Sequence, residues 1–423
     1  MEQRVIDTLR NVFELNGFIG IETRAVEQGS SLLKKGETSK EIYLLSRLQE
    51  VGHESDTPIE DRLGLHFDLT VPLSRYVVEH SGDLAFPFKR WQIQKVWRGE
   101  RPQEGRFREF VQADIDVIGN GDLPDHYEVE LPLVMVSALE RLREFGLPKA
   151  TVHANNRKLS EGFYRGLGLT DIEGVLREID KLDKIGADEV AKLLVEGCGA
   201  DEAQARACLE LAELTAADGK ELSDKFDALC AKHDIASDSD AYVLARQGLD
   251  TLAMIVDEAA RIRPGSVIAD LKIARGLDYY TGSVYETFLD GAAALGSICS
   301  GGRYDNLAEY YTDRKLPGVG ISIGVTRLFY VLGEQGLLND ALNTAPADVL
   351  LLPMTEDLSF AVSLATRLRE RGLRAQLYTE NKKFKAKMNY ADKTKIPYVL
   401  FLGEDEVASG VVTCKDMVTG EQT

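Results

Sequence analysis

Residues 86–119 read FPFKRWQIQKVWRGERPQEGRFREFVQADIDVIG, two strand-like runs joined by a polar loop. From Arg106 to Ile118 the odd positions are Phe107, Glu109, Val111, Ala113, Ile115 and Val117. The even positions are Arg106, Arg108, Phe110, Gln112, Asp114 and Asp116. Side chains alternate across a strand, so one face is almost wholly apolar. The other face runs from two arginines through a ring and an amide to two carboxylates. The first run matches it, with Gln92, Gln94 and Arg98 in one register and Trp91, Ile93 and Trp97 in the other. A face graded from cation to carboxylate suits a ligand that is anionic at one end and cationic at the other. From pattern alone, a solvated face with chance charge order is the competing reading. The loop from Gly99 to Gly105 holds Arg101 and is flanked by Arg98 and Arg106. Planar guanidinium forks match phosphate oxygens in pairs. Phe110, placed between the arginines and the acids, suits stacking on a base.

The chain has 423 residues, a formal net charge of −19 and 44% hydrophobic residues. That length predicts two or three domains of ordinary globular composition. The acidic total argues against a nonspecific nucleic-acid binder but leaves room for a local basic surface. Cys198, Cys208, Cys230, Cys299 and Cys414 form no CxxC pair, and the six histidines have no zinc-ligand spacing. Reduced thiols and a cytoplasmic location are the expectation. No apolar run approaches the roughly 20 residues needed to cross a bilayer.

The string WRGERPQEGRFREFVQADIDVIG resembles motif 2 of class II aminoacyl-tRNA synthetases, in the form found in histidyl-tRNA synthetases. Other segments extend the resemblance in order. A helix is predicted over 2–16 from Val5, Ile6, Leu9, Val12 and Phe13. With the following FIGIETRAV it is similar to motif 1, the dimer-forming element, although Arg24 stands where the family usually has proline. Residues 65–72 read LHFDLTVP and place Asp68 and Thr70 where the family holds the substrate amino group. His66 replaces the usual arginine there and is assigned no role. Residues 275–282 read RGLDYYTG, and 301–305 read GGRYD; both resemble histidine-specific signatures. Their adjacent glycines are expected to permit close backbone approach to a ligand. GVGISIGVTRLFYVL resembles motif 3, with Arg327 on the first turn of a helix.

Between 161 and 249 the chain becomes acidic, helical and poor in aromatics, resembling the family's insertion domain. Residues 338–347 read as a linker. The remainder alternates as βαβαββ and carries 11 lysines and arginines against 11 aspartates and glutamates, with Lys382, Lys383, Lys385 and Lys387 clustered. It resembles the anticodon-binding domain, one helix short of the usual pattern. The expected fold class is therefore α+β: a class II catalytic domain with an antiparallel sheet and flanking helices, a helical insertion, and a C-terminal α/β anticodon-binding domain. The bounds are 1–160 and 250–337 for the catalytic domain, 161–249 for the insertion and 346–423 for the anticodon-binding domain.

The resemblance implies ATP-dependent attachment of L-histidine to tRNA(His) through a histidyl-adenylate, by a homodimer. By family position, ATP would be bound by Arg98, Glu100, Arg106, Phe110 and Arg327, with Arg98 at the α-phosphate. Arg106 and Arg327 would hold the γ-phosphate, and Phe110 and Arg327 would sandwich adenine. Asp68, Thr70 and Gln112 would take the ammonium, and Asp116 and Tyr280 would read the imidazole, with Tyr279 adding a wall. Arg275 would bridge the histidine carboxylate and the α-phosphate, taking a place that a metal fills in some relatives. Magnesium is expected on the phosphates, with no metal site built by the protein. A second reading stays open: a synthetase-like regulatory or histidine-sensing paralogue that does not charge tRNA. Such paralogues commonly lack the anticodon domain and the ATP arginines. A sensor fused to a kinase would need a kinase segment, which this chain does not contain, and the two signatures disfavour another amino acid.

Arg275 gives the sharpest consequence. Charge placed between two anions before they react stabilises the transition state more than the ground state. Arg275→Ala should cut single-turnover adenylate formation by about 10²–10³ and leave ATP binding near normal. Lysine should rescue poorly, because it presents no bidentate fork. A rate within about threefold of the unaltered protein would make Arg275 a structural residue.

Overall fold

The computed structural model describes residues 2–32, 41–50, 57–99, 105, 107–274, 280–292, 296–306, 309, 311–334, 336–338 and 345–423. The chain divides after Leu338 into two compact units.

The first unit opens with α1 (Glu2–Leu15), β1 (Ile19–Gly20), β2 (Val26–Gln28) and α2 (Gly29–Leu32), followed by β3 (Leu63–Leu65) and α3 (Thr70–Glu79). The decisive stretch forms β4 (Phe88–Trp97) and β5 (Glu109–Ile118), paired antiparallel from Phe88 opposite Ile118 to Trp97 opposite Glu109. Next come α4 (His126–Leu142), β6 (Ala150–Asn156) and α5 (Arg157–Gly166). A helical run follows: α6 (Ile172–Ile179), α7 (Leu182–Ile185), α8 (Ala187–Gly197), α9 (Glu202–Ala212), the short β7 (Thr215–Ala216), α10 (Gly219–Lys232) and α11 (Asp240–Ile262). Asp171, Asp201, Asp218 and Ser239 cap α6, α9, α10 and α11 with side-chain oxygens, the chemistry an N-terminus needs. Positions 161 and 249 fall inside α5 and α11, which pack on each other. The unit closes with β8 (Val267–Asp270), β9 (Ser283–Leu289), β10 (Cys299–Tyr304), β11 (Gly318–Gly324) and α12 (Val325–Glu334).

Nine strands make one sheet in the order β1-β4-β5-β11-β10-β9-β6-β8-β7. It is antiparallel except where β1 pairs with β4 and β6 pairs with β8, both parallel. The centre of the sheet is buried on both faces. Ala113, Ile115 and Val117 of β5 lie on the apolar side, where α1 and α4 cover the sheet. Val5, Leu9, Val12 and Phe13 of α1 are buried, as their helical spacing predicts. The opposite residues Gln112, Asp114 and Asp116 are buried as well, so this face is no solvated surface. A group of that polarity stays buried only when paired or turned toward a ligand.

The GGRYD segment is a strand, β10, and the glycines serve the sheet first. A Cβ on Gly301 would lie 2.1 Å from the Gly320 carbonyl oxygen and 2.7 Å from Ile321 Cα. On Gly302 it would meet the Ser283 carbonyl at 2.5 Å and the Tyr280 ring at 2.8 Å. Neighbouring backbone and the Tyr280 ring thus already approach these glycines closely, and Gly301 also lines the cavity of the site. Arg303 binds Asp125, Glu128 and Asp305 and donates to the Leu123 carbonyl, which fixes the end of β10 to the start of α4.

The second unit holds β12 (Val349–Pro353), α13 (Ser359–Glu370), β13 (Ala375–Leu377), α14 (Phe384–Thr394), β14 (Tyr398–Leu402), α15 (Glu404–Ser409) and β15 (Thr413–Asp416). Its sheet runs β13-β12-β14-β15, with three parallel strands and an antiparallel edge. The order is therefore βαβαβαβ, with α15 an addition to the sequence expectation. The lysine cluster does not form one solvent face. Lys387 is buried, donates to the Pro353 carbonyl and lies over the Tyr378 ring, while Lys382 pairs with Glu380. Among the described residues no helix is long and apolar enough to cross a membrane.

Gly301→Ala should be destabilising by about 1–3 kcal/mol, the range for overpacking, because the two nearest atoms it meets are backbone. Chemical denaturation checks this. A change under about 0.5 kcal/mol would show that β10 shifts freely.

Candidate active site

One cavity of about 390 Å³ lies on the polar face of the sheet, over β5, β10 and β11. Asp68, Thr70, Arg98, Phe110, Gln112, Asp116, Tyr280 and Arg327 all line it, although they come from five separate parts of the chain. Glu100, Arg106, Arg275 and Tyr279 lie outside the described residues.

At the cationic end, Arg98 follows β4 and is anchored by its Nε, which donates to the Phe67 carbonyl at 3.0 Å. Its guanidinium sits 5.2 Å from the centre of the Phe110 ring. Arg98 thus covers the Phe110 ring at this end of the cavity. Arg327 is on the first turn of α12 and stands beside Gly296, Gly105 and Gly324. Phe107 packs edge-on against Tyr330 one turn further along the same helix.

At the acidic end, Asp68, Asp114 and Asp116 are all buried. Asp68 accepts the amide of Val71 at 3.0 Å, which fixes the N-terminus of α3 where Thr70 begins it. Gln112 Nε2 donates to Ser322 Oγ at 2.8 Å, and Ser322 in turn donates to Asp114. That chain of donors orients the amide. It leaves Gln112 Oε1 buried with no hydrogen-bond partner among the described residues. Asp116 accepts the Tyr304 hydroxyl at 2.5 Å and pairs with Arg90 Nη2 at 2.7 Å. Gly320 faces Asp116 across the ladder, and a Cβ there would fall 2.0 Å from Asp116 Oδ1. Only glycine gives that carboxylate its place.

Arg90 is fully buried, and three carboxylates stand around it and in the adjoining cavity wall. Burial pushes Asp114 up from 3.8 to about 7; Arg90 pulls it down, and Asp116 and Asp68 add to the rise. Burial, then Asp116, likewise push the Tyr304 hydroxyl well above its ordinary value, so it remains a donor. A cavity wall with this excess of negative charge is built for a cationic group, and an ammonium answers both the carboxylates and Gln112 Oε1. The other end offers arginine and an aromatic ring for an anion and a base.

Sequence reasoning missed Arg90, Tyr304 and Ser322, and gave Asp114 no role. The parity of the first strand held the signal for Arg90, which shares the register of Gln92 and Gln94. Ser322 stands opposite Asp114 in a register that only the fold supplies. His66, assigned no role, is buried and donates from Nε2 to the Lys95 carbonyl at 2.7 Å, tying the segment before α3 to β4.

A largely antiparallel sheet bearing an arginine-to-carboxylate cavity, joined to a small mixed α/β unit, defines a class II aminoacyl-tRNA synthetase. The family model described as histidyl-tRNA synthetase matches residues 1–328, and the anticodon binding domain model matches residues 348–423. A histidine–tRNA ligase of Bifidobacterium longum subsp. infantis is 76% identical over all of this chain and 91% of its own length. One from Micrococcus luteus is 50% identical, with 100% and 91% covered. The crystal structure of histidyl-tRNA synthetase from Nostoc sp. PCC 7120 superposes with a TM-score of 0.86 at 34% identity, covering 100% of this chain and 92% of that one. The chain belongs to the histidyl-tRNA synthetase family.

Asp114 makes stability depend on pH. Its folded value is raised, so its full contribution is present below about 4 and is lost as pH rises toward about 7. Asp114→Asn should therefore gain stability relative to the unaltered protein across that interval and hold a constant gain above it. The slope difference has a ceiling of about 1.4 kcal/mol per pH unit for one proton. Denaturation midpoints at fixed protein concentration from pH 4 to 8 check it; parallel curves would remove the burden assigned to Asp114.

Proposed function

We propose that this protein activates L-histidine with ATP and transfers the histidyl group to the 3′ end of tRNA(His). The reading rests on one observation: within a chain of this family, a single cavity joins an arginine-and-ring end to a buried carboxylate end. In the first step a carboxylate oxygen of histidine attacks the α-phosphorus of ATP. The Pα–O bond to pyrophosphate breaks, and histidyl-adenylate forms. Two anions meet in that step, so cations fixed beforehand lower its barrier. Arg98 takes the α-phosphate, with Arg275 between it and the histidine carboxylate. Arg106, Glu100 and Arg327 serve the rest of the nucleotide, and Phe110 carries the adenine. Asp68, Thr70 and Gln112 Oε1 hold the ammonium, while Asp116, Tyr280 and Tyr279 surround the imidazole. In the second step a terminal hydroxyl of the tRNA attacks the activated carbonyl, and AMP leaves.

No cluster of three histidine, cysteine, aspartate or glutamate side chains able to hold a metal exists among the described residues. Magnesium fits as part of the ATP substrate, bound by phosphate oxygens and water. Residues 346–423 bind the anticodon region and 161–249 form the insertion, and the working unit is a cytoplasmic homodimer. Arg98 and Arg327 together on the cavity wall, and a C-terminal unit matched as an anticodon-binding domain, disfavour the regulatory reading.

ATP–pyrophosphate exchange measured with each of the twenty amino acids tests the proposal. L-Histidine should exceed every other by roughly 10⁴ or more, because a buried polar site rejects ligands that leave its groups unpaired. Faster exchange with any other amino acid would overturn it.

A further inference from the structure

Arg90 stands behind the cavity wall and touches none of the space where substrate would lie. It is fully buried near the start of β4, a costly place for a guanidinium, and it offsets that cost only through the carboxylates it faces. Its contacts run to both ends of the amino-acid pocket. Nη2 pairs with Asp116 Oδ2 at 2.7 Å and donates to the Leu69 carbonyl at 3.3 Å, between Asp68 and Thr70. The same atom lies 3.9 Å from Asp114. Nε and Nη1 have no hydrogen-bond partner among the described residues, so the guanidinium is committed to one edge of this cluster. Asp116 is held on its other oxygen by Tyr304, and the absence of a Cβ at Gly320 gives it room.

We propose that Arg90 is the positioning residue of the histidine pocket, setting the Asp116 carboxylate against the imidazole and the 68–70 segment against the ammonium at the same time. This rests on the assignment of the cavity to histidine. One guanidinium fixes the distance between two recognition elements from different parts of the chain, so the pocket accepts a ligand whose two polar ends have that separation. Its charge also balances the carboxylates it faces: Asp114 and Asp116 from β5 and Asp68 from the segment before α3. Tyr304 from β10 and Tyr280 complete the ring of titratable groups.

Arg90→Met and Arg90→Lys in the full-length protein test this by histidine- and ATP-dependent pyrophosphate exchange from pH 6 to 9. Arg90→Met should raise the KM for histidine about 10–100-fold and leave the KM for ATP within about twofold, the pattern of lost binding on one substrate only. It should also move the acid limb of kcat/KM for histidine to higher pH, because Arg90 opposes protonation of Asp114. Free histidine titrates identically in both proteins, so the difference belongs to the pocket. Arg90→Lys restores the charge, but its shorter reach does not bring one nitrogen to both Asp116 and the Leu69 carbonyl; it should return the acid limb while leaving the histidine KM raised about tenfold. A purely structural arginine would instead reduce the active fraction, with both KM values and the pH profile unchanged; that result in folded Arg90→Met overturns the proposal. If Arg90→Met fails to fold, Arg90→Lys decides alone, and a histidine KM equal to that of the unaltered protein overturns it. Failure of the histidine assignment is separate, because the unaltered protein would then show no histidine-dependent exchange.

Discussion

The constraint on which the structure depends is that β5 is buried on both faces. One face meets α1 and α4 through Ala113, Ile115 and Val117. The other presents Gln112, Asp114 and Asp116 to the polar cavity. Carboxylates taken out of water need either counter-charge or protons. Arg90 supplies the first and Asp114, shifted to about 7, shows the strain on the second. Removing one member of a buried ion pair typically costs about 3–5 kcal/mol, which applies here to Arg90 and Asp116. The carboxylates here outnumber the one guanidinium behind them, which suits a cationic ligand group.

Close backbone packing serves that same purpose. β10 and β11 approach without Cβ atoms at Gly301 and Gly320, which brings Tyr304 and Asp116 within hydrogen-bond distance. The signature glycines are thus part of the pocket by way of the sheet. Arg303, beside them, points away and locks β10 to α4 through Asp125 and Glu128. One short motif carries two jobs on the two faces of a strand, as the alternation of side chains requires.

The two-faced hairpin, the helix at the N-terminus and the βα alternation of the last 78 residues were legible because each depends on local period: two for a strand and 3.6 for a helix. The eight described residues that the family resemblance implied for the site share one cavity. Lys387 was not, because a lysine on a polar helix gives no sign that its ammonium will turn inward to a main-chain carbonyl. α15 escaped notice because its six residues are too few to establish a period.

The sequence by itself determined which residue types stand on which face of each strand, and hence that an arginine-rich end and a carboxylate end would share one surface. Tertiary structure alone decided which of them meet. Asp116 and Tyr304 are 188 positions apart, and Ser322 lies 208 from Asp114. Arg90 reaches across from a different strand to join Asp116 to the Leu69 carbonyl. Register between distant strands is set by the whole sheet closing over its core, and no local pattern records it.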